Sequence, residues 1–160
     1  MKCWCSIIIW LLLFQSTDAS VIKVSKENKS TSIKAAVALA NPGDTIIVSP
    51  GIYKEGNIII QKPISVFGVD YPTLDGEMKY ELFTIAIPRV RIEGFRIINS
   101  GRGSMEDLAG IKCLDAHYSI IRNNKFENTF FGIHLSNSNF CLIEKNTLIA
   151  KALNEYELGN

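Results

Sequence analysis

Two consecutive stretches of this chain, GIKCLDAHYSIIRNNKFENTFF (110–131) and GIHLSNSNFCLIEKNTLIAKAL (132–153), align without a gap at an offset of 22 residues. Ile111 falls on Ile133, Cys113 on Leu135, Ala116 on Ser138, Ile121 on Ile143, Asn124 on Asn146 and Phe126 on Leu148. Self-similarity at a period in the low twenties, with three short β-rich runs per unit, describes one coil of a solenoid. An earlier block, VRIEGFRIIN (90–99), repeats the later half of the unit at an offset of 29: Ile92 matches Ile121, Phe95 matches Asn124 and Ile97 matches Phe126. The larger offset places an insertion in the stretch Ser100 to Leu108, and ISVFG (64–68) is a fainter copy. A leucine-rich repeat shares the period but needs a Leu-rich consensus that this chain lacks. The predicted fold is therefore all-β, a right-handed parallel β-helix. Its coils stack ~4.8 Å apart, so equivalent residues become neighbours in a column. Ile over Ile fills the bore, and Asn124 over Asn146 forms an amide ladder at a turn.

Before the repeats, the pattern differs. Residues 21–29 suggest a short edge strand and a basic turn. Ser30, Thr31 and Ser32 are good helix caps, and Ile33, Ala36, Val37 and Ala40 then fall on one helical face. Asn41-Pro42-Gly43 stops that helix. A short N-terminal helix of this kind covers the open strand edges of a β-helix. The other end shows no comparable cap, and only a weak helical signal appears at 150–158. Gly159-Asn160 looks like the start of another turn, so the chain reads as the first coils of a longer repeat, truncated at its C-terminus.

Residues 1–19 have the form of a signal peptide: Lys2, an apolar run from Ile7 to Phe14, then the small residues Thr17 and Ala19. The run is too short to span a bilayer. The expected organisation is a leader at 1–19 and one β-helix domain at 20–160, exported and without a direct membrane anchor. With 17 basic and 16 acidic residues, the chain has no charge excess to bind nucleic acid. Only Cys113 and Cys141 follow the leader. Their positions within the coil differ by six residues of path, so they are expected on different faces and unpaired.

Residues 35–76, AAVALANPGDTIIVSPGIYKEGNIIIQKPISVFGVDYPTLDG, resemble the first coils of the pectin-lyase-like β-helix superfamily, which holds enzymes and non-enzymes alike. IEGFRIINSGRGSMEDLAGIKC (92–113), followed by NNKFENTFFGIHLSNSN (123–139), is similar to the NosD family of periplasmic maturation proteins associated with nitrous oxide reductase. That resemblance implies a periplasmic, non-enzymatic subunit working with membrane ABC transporter subunits to assemble the copper–sulfur centre of the reductase. The alternatives are a polysaccharide lyase or other carbohydrate-active β-helix enzyme, and a plain binding scaffold.

Copper(I) suits thioether and imidazole ligands. Met105 lies in the inserted loop, and His134 falls directly below Lys112 on a strand leaving that loop. Ile133 and Leu135 point inward, so His134 points out. Met105 and His134 are the expected metal contacts, weak or transient. A solvated histidine and an ordinary loop methionine are the plainer alternative. No catalytic residue is expected: the outward strand positions Lys112 and His134 carry no paired carboxylates. Asp107 beside Arg102 imitates a lyase pair, though loop solubility explains the two equally well; Asp75-Gly76 reads as a turn, and Phe130-Phe131 as stacking at the turn into the next coil rather than as a partner anchor.

Overall fold

Short β-branched runs, each bounded by Gly, Asn, Asp or Pro, leave no room for long strands, and the structure obeys this. A computed structural model of the protein describes residues 19–27, 32–103 and 107–150. In chain order these form β1 (Val21–Val24), α1 (Ile33–Leu39), β2 (Thr45–Val48), β3 (Ile52–Tyr53) and β4 (Ile58–Ile60). The next coil is β5 (Ser65–Gly68), β6 (Thr73–Asp75) and β7 (Phe83–Ile85). Then come β8 (Arg91–Glu93), β9 (Arg96–Ile98) and β10 (Ala109–Leu114). They are followed by β11 (Ile120–Arg122), β12 (Lys125–Glu127) and β13 (Phe131–Ser136), and finally by β14 (Leu142–Glu144) and β15 (Thr147–Ile149).

From β2 onward every third strand belongs to the same sheet, and β1 adds to the edge of the first. One sheet has the order β1-β2-β5-β8-β11-β14, the second β3-β6-β9-β12-β15, and the third β4-β7-β10-β13. All pairings are parallel. The protein is thus a parallel β-helix, as the repeat predicts, and the repeat sets its register. Ile111 pairs with Ile133 and Cys113 with Leu135. Ile121 pairs with Ile143 and with Ile92, and Phe126 with Leu148 and with Ile97. Inward residues build a continuous bore in which Ile46, Val66, Ile92 and Ile121 are fully buried. Burial of each contributes about 1.5–3 kcal/mol. Phe83 and Phe95 meet edge to face inside it, ring centres 5.6 Å apart.

Helix α1 replaces the missing strands of the first coil. Its buried face is Ile33, Ala36 and Val37, and it packs mainly on β4, the edge strand of the third sheet. Ser32 is the N-cap, accepting a hydrogen bond from the Ala35 N–H at 3.0 Å. The Glu55 carboxylate also accepts from the Ile33 and Lys34 N–H groups at 3.0 and 2.9 Å. The exit is fixed by Asp44, whose carboxylate accepts from Ser20 N and Asn41 N, each at 2.7 Å. These two backbone donors, Asn41 first, hold its carboxyl below the usual carboxylate range. Residues 1–18 of the expected leader lie outside the described residues, as does nearly all of the weak helical stretch 150–158. Among the described residues, no helix is long and apolar enough to cross a membrane.

Asn124 and Asn146 form the predicted ladder. Asn124 N donates to Asn146 Oδ1 at 3.0 Å, and each side-chain amide donates to a backbone carbonyl of the coil before it, Asn124 to Ile92 O and Asn146 to Ile121 O. The turn after the second sheet carries another ladder. Asn99 Nδ2 donates to Asp75 Oδ1 at 3.0 Å, and Asn128 Nδ2 to Asn99 Oδ1 at 2.7 Å. Asn99 and Asn128 both adopt left-handed backbone, φ 53° and 52°, which asparagine tolerates well.

Candidate functional site

The outward face of the third sheet is where the irregular parts of the chain converge. Strand alternation aims Ile59, Thr84, Lys112 and His134 away from the bore, and the register stacks them in one column. The connection from β9 to β10, described at 99–103 and 107–108, leads into the strand that carries Lys112. Its base is pinned by the Gly101 N–H, which donates to Tyr80 O at 2.9 Å. A Cβ at Gly101 would lie 2.6 Å from Lys79 O, so only glycine permits that approach.

A groove of about 620 Å³ lies beside the loop, lined by Asn57, Tyr80, Glu81, Asp107 and Lys112, among others. Glu81 is the unusual member. It is only 6% exposed, although it sits on the outer face just before β7. One of its carboxylate oxygens, Oε1, accepts a hydrogen bond from the Thr84 hydroxyl. The Thr84 hydroxyl in turn accepts from Asn57 Nδ2 at 2.9 Å. The other oxygen, Oε2, has Lys112 Nζ at 3.3 Å. The ammonium is at ion-pair distance but not aimed to donate, so Oε2 has no hydrogen bond. Burying a carboxylate oxygen without one is costly, and Lys112 offsets only the charge.

Several expectations meet this geometry. His134 stands directly below Lys112, as the repeat requires. Its Nδ1 is buried without a hydrogen-bond partner, and its ring lies 6.0 Å from that of Phe131. The other histidine differs: His117 Nδ1 accepts from Asn139 N at 3.0 Å. Met105 lies outside the described residues, so its position relative to His134 is not part of the geometry. Among the described residues, no cluster of three or more His, Cys, Asp or Glu side chains is arranged to hold a metal ion.

Two carboxylates, Glu81 and Asp107, line the groove together with Lys112, away from the outward strand positions. Both come from connections rather than strands, so period-two counting misses them. The signal available in the sequence was Glu81 itself, a charge directly before the apolar β7 run Leu82-Phe83. Nor does Arg102 reach toward Asp107 as a pair; its guanidinium donates to Asn128 Oδ1 at 3.4 Å.

Cys113 and Cys141 are both free, Cys113 buried. Burial pushes the Cys113 thiol up to about 12, with Cys141 adding to the effect. Cys141 Sγ contacts Ala116 O at 3.2 Å. Asp75 closes a turn as expected, its Oδ1 accepting from Glu77 N at 3.0 Å. Phe130 and Phe131 pack against each other edge to face, ring centres 4.8 Å apart.

The opposite outer face looks structural. Glu93 accepts from Arg91 and Arg122 at 2.6 and 3.0 Å and from Asn123 at 2.7 Å. Burial would raise its carboxyl, but these donors, Arg122 foremost, hold it down to about 2. No family model, curated protein or solved structure matches the chain.

Proposed function

We propose that this protein is an exported, non-enzymatic β-helical subunit that serves assembly of the copper–sulfur centre of nitrous oxide reductase, working with membrane ABC transporter subunits. What supports this reading is the sequence between β9 and β10, the stretch that resembles NosD most specifically, which leads directly into the strand that bears Lys112 and stacks on His134. Long connections on a rigid scaffold are the usual carriers of partner contact.

In this role the coils hold the loop and its column at fixed spacing, and contact with the partners is made by loop and groove edge together. Copper(I) is cargo, met transiently by Met105 and His134.

Direct binding tests the reading. The purified protein is expected to bind the apo-reductase or the periplasmic surface of its transporter. Joint replacement of Arg102 and Asp107 by Ala is expected to weaken binding at least tenfold, about 1.4 kcal/mol. Binding that is absent, or indifferent to both the loop and the column, contradicts it.

A further inference from the structure

We infer that the cleft between α1 and β4 docks an extended peptide segment of a partner protein whose residues alternate between acidic and apolar, a contact separate from the loop that enters β10. The cleft holds about 450 Å³ and is lined by Lys34, Val37, Ala38, Ile59, Gln61 and Lys62, among others. It lies at the edge of the third sheet, two strands away from the strand of Lys112.

One wall is apolar where the column beside it is polar. Strand alternation turns Ile59 out of the bore, between the buried Ile58 and Ile60, and leaves it 52% exposed. The same column carries Thr84 and Lys112 in the next coils. Leu39, at the end of the helix, is 72% exposed.

The other wall is cationic. Lys34 projects from the helix and is exposed. Lys62 Nζ donates to Ala38 O and Ala40 O at 2.8 and 2.6 Å, which fixes the ammonium at the helix end and leaves one N–H for a further acceptor. Among the described residues neither lysine forms an ion pair. Two acids lie close, and both are engaged elsewhere: Glu55 accepts from the Ile33 and Lys34 N–H groups, and Asp44 from Ser20 N and Asn41 N. The lining holds both lysines and no acid, so its field favours carboxylates.

Spacing and polarity select a peptide. Between Lys34 and the carbonyls that hold Lys62 the helix rises about 6–9 Å. An extended chain repeats its side chains on one face every ~6.6 Å and turns the intervening ones the other way. Acids at alternate positions therefore meet the lysine wall while the residues between them meet Ile59. Gln61, exposed on the strand side, offers an amide donor and acceptor together, a pair that a peptide group can use and an acyl chain cannot.

The test is titration of the isotope-labelled full chain, followed by amide chemical shifts, with the peptide acetyl-Ser-Glu-Leu-Glu-Leu-Ser-amide. Its controls are the same peptide with Gln for Glu, the same with Ser for Leu, and vesicles of equal parts phosphatidylglycerol and phosphatidylcholine. The acidic peptide is expected to shift amides of residues 34–39 and 57–62 saturably, with Kd of about 0.1–1 mM, and to bind more weakly as salt rises. Each control peptide is expected to bind about fivefold more weakly or worse. Lys34→Glu, which puts an acid where a helix start accepts one, is expected to weaken the acidic peptide about fivefold or more. Ile59→Ser is expected to weaken it about threefold or more, and Lys145→Glu, the same charge change on the last coil, to change nothing. Any of five results overturns the cleft: no saturable shift, control peptides that bind equally, both cleft variants without effect, vesicles that shift these amides while the peptide does not, or a concentration-dependent dimer, seen by light scattering, that Lys34→Glu dissolves. The assembly role is read by binding to the reductase or transporter, so none of these results bears on it.

Discussion

Asn124, 1% exposed in the wall of the helix, accepts the Phe95 N–H from the coil before at 3.0 Å while its own N–H donates to Asn146 Oδ1 of the coil after, also at 3.0 Å. The Asn124 side chain thus satisfies the Phe95 N–H and Ile92 O of the coil before it, and the Asn146 side chain does the same for the Asn124 N–H and Ile121 O. Asn124→Leu fills the volume but leaves the Phe95 N–H and Ile92 O without partners. The expected cost is about 2–6 kcal/mol, one to three for each orphaned group. Urea unfolding of the variant checks it. A loss below 0.5 kcal/mol, the scatter of an ordinary surface change, contradicts a structural ladder.

Glu93 gives the protein an acid-sensitive face. Its folded carboxyl is held at about 2 against an ordinary 4.5. A lowered folded value means the stabilisation is complete above the ordinary value and drains away as pH falls from there toward 2. Partial exposure and salt reduce the effect, so about 1–3 kcal/mol is expected at neutral pH. Glu93→Gln is expected to lower stability at pH 7 and to match the parent near pH 2. An equal gap at both pH values rules out this origin.

The register was legible because repeat and geometry share one cause. In a stack, residues 22 apart must occupy the same place in the coil, so Ile111 over Ile133 and Asn124 over Asn146 follow from sequence alone. Helix α1 was legible through its cap and its apolar face. The groove was not. Glu81 reaches the outer face from a connection and Asp107 from an insertion, and no period predicts where such residues meet. The Asp75–Asn99–Asn128 ladder escaped for a similar reason: its members are 24 and 29 residues apart, following the irregular coils rather than the repeat.

The two cysteines should separate by reactivity. Cys113 is buried with its thiol pushed up to about 12, so at pH 8 it offers almost no thiolate and no access. Iodoacetamide is expected to label Cys141 in the folded protein and Cys113 only after unfolding. Peptide mass mapping reads the outcome. Equal labelling of both in the folded state, or a Cys113–Cys141 bridge, contradicts the structure.

Gly101 couples the loop to the groove. Its missing Cβ lets the chain pass under Lys79 O, and an added methyl would also meet Leu108 Cδ1 at 2.7 Å. Gly101→Ala is expected to cost about 1–3 kcal/mol through forced backbone displacement. The shift changes should concentrate at residues 79–82 and 107–109. Changes spread evenly over all coils, or none, contradict the pinning role.

The assembly role is tested most directly by the copper content of nitrous oxide reductase purified from cells with and without this protein. The role predicts a reductase that folds but is depleted of copper and lacks the copper–sulfur centre's spectrum when the protein is absent, with both restored by the full chain. Restoration is expected to fail with Arg102 and Asp107 replaced together. A fully metallated, active reductase made in the absence of the protein contradicts it.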